Sequence, residues 1–183
     1  MDDQTAISRL NQGDLKGLEH LVNRYQVQAV HTAYTILYDR ALAEDVAQGA
    51  FVKVAERIHQ FDEERSFAPW FFRIVVNDAL KLVKKQKRHE SLDEPVLQLA
   101  EWLADQGSTP EKLIEQEETR QTVLEAIRSL PPEQRAVIVM RYYLDMSEAD
   151  MSIEMKRPFS TIKWWLRDAR KRLRSMMDAS RGG

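Results

Sequence analysis

The chain contains no cysteine. A disulfide scaffold, a thiolate metal site, dithiol redox chemistry and a cysteine nucleophile are thereby excluded. Glycine and proline are scarce, six of each in 183 residues, and long stretches carry neither. No apolar run approaches the ~18 residues that a membrane-spanning helix needs. The opening Met1-Asp2-Asp3-Gln4 is acidic, with no apolar segment behind it. These absences set the expectation of a cytoplasmic protein with no leader peptide and no direct membrane insertion. The histidines His20, His31, His59 and His89 stand far apart, without the spacing of a metal-binding helix. There is no glycine-rich phosphate loop and no nucleophile motif. Neither catalysis nor a metal or cofactor is expected.

What fills the chain instead is Ala, Leu, Glu, Gln, Lys and Arg, with few alternating β-branched runs. That composition predicts an all-α fold. At about 150 residues per domain, the length suits one ordinary domain or two small ones. The formal charge is only −2, from 27 basic and 29 acidic side chains. That total hides strong segregation. Arg73, Lys81, Lys84, Lys85, Lys87 and Arg88 face only Asp78 in their segment, whereas Glu90–Glu118 carries nine acids against Lys112. From Lys156 to Arg174 there are eight bases against Asp168. Two basic segments separated by an acidic one is the informative pattern.

Periodicity and caps place the helices. Asp14 reads as an N-cap, followed by Leu15, Leu18, Leu21, Val22 and Tyr25 at helical spacing. After a break near Tyr38-Asp39-Arg40, a helix over 41–59 puts Ala43, Ala47, Ala50, Phe51, Val54 and Ile58 on one face. Ser66 and Pro69 open another helix that runs to about Arg88. Residues 89–109 carry both Pro and Gly with little periodicity and read as a linker. A helix is expected from Pro110 to Ser129, Pro131-Pro132 opens the next, Ser147 caps a short one and Ser160 caps the last. The expectation is two helical modules, 1–88 and 110–176, with a tail over 177–183.

In the last helix Ile162, Leu166, Ala169 and Leu173 share one side, while Ser160, Trp164, Arg167 and Lys171 share the other, flanked by Lys163 and Arg174. A short helix followed by this basic one fits a helix-turn-helix, whose second helix needs cations for phosphates and a few side chains for base edges. Trp164, an aromatic in a polar face, leaves two readings: a DNA contact, or a packing residue under a neighbouring element.

The motifs now resemble a family. Leu130-Pro131-Pro132-Glu133-Gln134-Arg135, Arg141-Tyr142-Tyr143, Leu144-Asp145-Met146-Ser147 and Ser160-Thr161-Ile162-Lys163 are similar to region 4 of the extracytoplasmic-function (group 4) sigma factors of bacterial RNA polymerase. Ala43-Glu44-Asp45-Val46-Ala47-Gln48 and Ser66-Phe67-Ala68-Pro69-Trp70-Phe71-Phe72-Arg73-Ile74-Val75-Val76-Asn77 resemble its region 2. Three positions depart from the pattern: Gly49, where an acid is usual; Lys156-Arg157-Pro158, where the turn usually holds a glycine; and Trp164-Trp165.

The resemblance implies a promoter-specificity subunit without catalysis of its own. Its partners would be core RNA polymerase (through the clamp helices of the largest subunit), promoter DNA and an anti-sigma factor. The polymerase face would include Glu44, Asp45, Gln48, Val52 and Glu56. The loop Gln60–Ser66, with Asp62, Arg65 and Ser66, would receive a flipped base of the −10 element. On the following helix, Trp70, Arg73, Asn77, Lys81 and Lys84 form a stripe of ring, amide and cations of the kind that binds single strands; the other reading of Trp70 is a core ring, since large aromatics at a helix start usually pack inward. The −35 element would fall to Arg157, Ser160, Thr161, Lys163, Trp164, Arg167 and Lys171. Fully extended at ~3.3 Å per residue, the acidic linker spans about 70 Å, some two turns of duplex. A disordered tether explains its composition equally well. The alternative is a helix-turn-helix regulator that binds duplex DNA without polymerase.

Overall fold

The computed structural model describes residues 1–86 and 123–181. The expected linker 89–109 and the start of the helix expected from Pro110 lie outside the described residues. Those that are described form helices and turns, with no strand.

A first helix that periodicity did not suggest, α1 (Asp3–Asn11), begins on the Asp2 carboxylate, which accepts from the Thr5 amide at 2.8 Å. It buries Ala6, Ile7 and Leu10. It ends in two paired backbone bonds, Gly13 N to Leu10 O at 2.9 Å and Asp14 N to Arg9 O at 2.9 Å. This closure puts its C′ residue in the left-handed region, and Gly13 takes φ +83° there without a Cβ penalty. Asp14, expected as the N-cap of the next helix, stands one residue before the cap position, which is Leu15; its side chain accepts from Lys16 N at 3.0 Å and its carbonyl from Gly17 N at 3.0 Å. The regular helix α2 (Lys16–Leu37) is counted from Lys16, and Leu15, assigned to its apolar face by spacing, is exposed.

Around α2 the first module assembles. Asp39 caps α3 (Arg40–Arg57), accepting from Leu42 N at 2.9 Å, and a single 3-10 turn, Ile58–Gln60, follows. Helix α4 (Phe67–Gln86) starts where Ser66 and Pro69 predicted. Helices α1, α3 and α4 all pack on α2. The core is aromatic: Phe71 stacks on Phe51 at 4.7 Å and on Phe67 at 5.7 Å, and Tyr25 closes on the same rings.

The second module begins, within the described residues, with a helical stretch over 123–128. Pro132 opens α5 (Pro132–Tyr142) at N1, where its missing N–H costs nothing. Ser147 caps α6 (Glu148–Met155), accepting from Asp150 N at 3.0 Å. The last helix, α7 (Phe159–Arg181), starts earlier than expected. Thr161 N and Ile162 N both bond to the Pro158 carbonyl, so Ser160 lies inside the first turn and is not the cap.

The α6–α7 turn repeats the closure seen at Gly13, with Arg157 N to Ser152 O at 3.1 Å and Lys156 N to Ile153 O at 3.2 Å. Here the left-handed residue is Lys156, at φ 51° and ψ 49°. The turn geometry therefore survives without glycine. The Ser152 hydroxyl, donating to the Arg157 carbonyl at 2.7 Å, adds a tie across it.

The two modules are docked. Helix α5 packs on α2 and α4, and α6 on α4. Arg135 is buried and donates to the carbonyls of Ile36 (2.7 Å) and Arg128 (2.9 Å), its guanidinium carbon 5.0 Å from the Tyr38 ring centre. Tyr38 itself sits at φ 56°, and burial raises its phenol pKa. The Tyr143 hydroxyl and His31 Nδ1 share a hydrogen bond at 3.0 Å; burial lowers the imidazole's pKa, so the ring is neutral near pH 7.

Two substitutions test these closures by thermal melts. A Cβ on Gly17 would lie 2.2 Å from the Ala6 carbonyl oxygen and 2.9 Å from Leu10 N. Gly17→Ala must push α1 away and should cost about 1–3 kcal/mol, despite alanine's better helix propensity. The midpoint should fall by roughly 2–4 °C per kcal/mol. Lys156→Gly should move it the other way: relief of a left-handed residue, about 1–2 kcal/mol, exceeds glycine's extra unfolded-state entropy of about 0.5–1 kcal/mol.

Candidate nucleic-acid interface

Helix α3 buries Ala43, Val46, Ala47, Ala50, Phe51 and Val54 against the first module. Its outer face carries Asp45, Gln48, Val52 and Glu56, all exposed, with Glu44 beside them. Glu44 is engaged, its carboxylate accepting from Arg40 Nε at 2.9 Å. Val52 is 56 % exposed, an apolar side chain in a ring of acids and amides. Gly49 lies on the same helix, and a Cβ there would meet nothing within 4 Å.

Between the 3-10 turn and α4, Phe61 is buried and pins the loop, while residues 62–66 are exposed. Asp62 organises it: its side chain accepts from Glu64 N at 3.1 Å and its carbonyl from Arg65 N at 3.0 Å. Asn11 of α1 donates to Glu63 at 3.0 Å. Asp62, Arg65 and Ser66 thus stand together on one exposed loop, as expected.

The stripe on α4 is more mixed. Trp70 departs from it. The indole is 8 % exposed and packs on Phe61 at 5.1 Å and Phe67 at 5.8 Å, so its face is unavailable for base stacking in this structure. An aromatic one turn into a helix, above an apolar loop anchor, gains more by burial than by exposure. Arg73 and Asn77 are half-buried, and Lys81 and Lys84 are exposed. Several of these cations already have acidic partners. Lys81 lies 3.7 Å from Asp78, which also takes Lys53 at 2.5 Å, and Lys84 lies 3.8 Å from Glu133 of α5. Arg65 and Arg73 both reach Glu154 of α6. Spacing along the helix pointed to Asp78 alone, three residues before Lys81, and carried no sign of Glu133 or Glu154.

Helix α7 divides as its sequence predicts. Ile162, Leu166 and Ala169 are completely buried, and Leu173 is partly so. On the other side Ser160, Lys163, Arg167 and Lys171 are exposed. Trp164 is 51 % exposed among them, which removes the reading that it packs beneath a neighbouring element. These residues, with Glu148 of α6, line one continuous groove along the helix. Arg157 is exposed in the turn and Thr161 half-buried at the edge. Lys163 lies over the Phe159 ring at 5.6 Å. The acid in the middle of this helix, Asp168, is turned to structure. It accepts from Gln134 of α5 at 2.8 Å and Arg172 Nε at 2.9 Å, and these bonds hold its pKa below the ordinary value. Apart from Glu148 at its α6 side, the groove is lined by cations, a hydroxyl and a large ring. Such a set contacts phosphate oxygens and offers base edges both hydrogen bonds and an apolar surface.

Among the described residues no group of acids and histidines is arranged to hold a metal ion, and no helix is long and apolar enough to cross a membrane.

Comparison with known proteins agrees with this division. Residues 21–89 match the model of sigma-70 region 2, and residues 120–173 match that of sigma-70 region 4. The ECF RNA polymerase sigma-E factor of Escherichia coli K12 is 33 % identical over 171 residues, covering 89 % of this chain and 87 % of that protein. The ECF RNA polymerase sigma factor SigW of Bacillus subtilis is 28 % identical, covering 93 % of this chain and 94 % of its own. Among solved structures, CnrH in complex with the cytosolic domain of CnrY superposes with a TM-score of 0.70 at 21 % identity, covering 97 % of both chains. The sigma factor RpoE of Bartonella quintana, in complex with the anti-sigma factor NepR, gives 0.69 at 20 % identity, covering 89 % of this chain and 98 % of the other.

Proposed function

Since this chain belongs to the extracytoplasmic-function sigma factors of bacterial RNA polymerase, we propose a division of labour among its surfaces that goes beyond that membership. The protein is an alternative sigma factor that directs promoter-specific transcription, and its family is one of non-enzymatic initiation factors. In our reading, Glu44, Asp45, Gln48, Val52 and Glu56 on α3 meet the clamp helices of core polymerase. The loop residues Asp62, Arg65 and Ser66, with Arg73, Asn77, Lys81 and Lys84 of α4, take the melted −10 strand. Trp70 serves this site from below by fixing Phe61 and the loop. Arg157, Ser160, Thr161, Lys163, Trp164, Arg167 and Lys171 read the −35 duplex.

The observation that carries this reading is the two-sided build of α7, with its apolar stripe wholly buried and its cations and Trp164 outside. The exposed Val52 amid polar neighbours supports the polymerase face in the same way, since an apolar side chain left in water gains when a partner covers it. A regulator that binds duplex without polymerase has no use for the α3 face. By analogy with the anti-sigma complex of the Bartonella relative, an anti-sigma factor is the further partner we assign.

Two measurements test the assignments. An Asp45→Arg/Gln48→Ala variant should lose co-elution with core polymerase while keeping its helical content. A charge reversal at a packed contact should weaken binding by more than about tenfold, or ~1.4 kcal/mol. Retained co-elution would move the polymerase face elsewhere. For Trp164 the expected contact is with a thymine methyl, and burying one such group is worth about 0.8 kcal/mol, roughly fourfold. Selection of −35 sequences with Trp164→Ala should show preference relaxed at one position. Unchanged selectivity would remove Trp164 from the reading set.

A further inference from the structure

The carboxylate of Glu154 on α6 is wholly buried, at 0 % exposure, and the cations beside it come from the other module. Oε1 accepts from Arg65 Nη2. Oε2 lies 3.4 Å from Arg73 Nε and makes no hydrogen bond of its own. A buried carboxylate is tolerated when cations and donors replace its lost water, and is strongly unfavourable when they are withdrawn. Glu154 therefore favours the arrangement that keeps Arg65 and Arg73 against it. Lys84 and Glu133 face each other across the same seam at 3.8 Å.

Arg65 and Arg73 are also two of the cations assigned above to the −10 strand. A guanidinium fork suits phosphate and carboxylate alike, and a guanidinium held by one is withheld from the other. We infer that Glu154 is an internal latch: in the free chain it occupies Arg65 and Arg73, holds the second module against the first, and masks the −10 surface until the modules part. This inference rests on the assignment of those two arginines to −10 DNA. The latch lowers apparent affinity for single-stranded DNA by the fraction of chains that are open, and a partner that separates the modules restores it. The α7 groove is outside the seam and stays accessible in the latched state.

The absence of cysteine makes the test direct. Cysteines introduced at the exposed positions Gln26 on α2 and Ser175 on α7 accept a donor–acceptor dye pair without background labelling. Energy transfer in the free, full-length chain then reports whether the modules are together. Titration with a short single-stranded DNA pool of random sequence reports whether the −10 surface is free. Glu154→Gln keeps the side-chain size and removes the charge. It should produce a low-transfer population and tighten DNA binding severalfold, and the tightening should vanish in Glu154→Gln/Arg65→Ala/Arg73→Ala. The reverse variant, Arg65→Ala/Arg73→Ala, strands the buried carboxylate and should also lower transfer, with circular dichroism showing both modules still helical. High transfer retained in either folded variant overturns the latch, whatever the DNA does. Opening without tighter DNA binding overturns the masking, and locates the failure in the assignment of Arg65 and Arg73.

Discussion

Each module is too small to bury its helices on every side, and that constraint decides where function can lie. A core of a few helices covers one stripe of each, so the sequence must choose which stripe is apolar. In α7 the choice is complete: Ile162, Leu166 and Ala169 are sealed, and the cations have nowhere to go but out. In α3 the small core residues Ala43, Ala47 and Ala50 let the helix sit close on α2, which leaves Val52 on the far side. The faces proposed to bind partners are the complement of the core.

Much of this was legible in the chain. Caps and prolines marked the starts of α4, α5 and α6, and the split of α7 followed from counting residues around a helix. The sites followed from motifs that resemble a known family. What was missed has physical reasons. Helix α1 is short, and its signal was a single Asp2–Thr5 cap ahead of Ala6, Ile7 and Leu10. Trp70 had two readings, stripe or core, and spacing could not choose between them because the partner that buries it, Phe61, belongs to a loop with no periodicity. Glu154 carried no sign in the sequence, because Arg65 lies 89 positions away in the chain and Arg73 nearly as far. Contacts of that range leave no trace in local spacing.

Electrostatics show the same contrast between local pattern and tertiary outcome. The basic run on α4 looked like an open cationic surface, yet Asp78, Glu133 and Glu154 sit beside most of it. The basic face of α7 keeps Lys163, Arg167 and Lys171 exposed, while the acid in the middle of the helix, Asp168, is bound to Gln134 and Arg172. Two segments of similar composition thus present different fields to a polyanion, and in the proposed assignment the second steers association with duplex DNA.

The Arg135 guanidinium completes the end of a helix to which it does not belong. Helix α2 leaves carbonyls without partners at its last turn, and one of them, on Ile36, is satisfied by a donor from α5. The next residues are Leu37, the left-handed Tyr38 whose ring that same arginine covers, and Asp39, the cap of α3. If the modules separate, that carbonyl must turn to water, and the corner loses the cation that holds its ring. The contact thus joins the seam to the first turn of α3, so the helix that carries Asp45 and Gln48 is braced at its root by the other module.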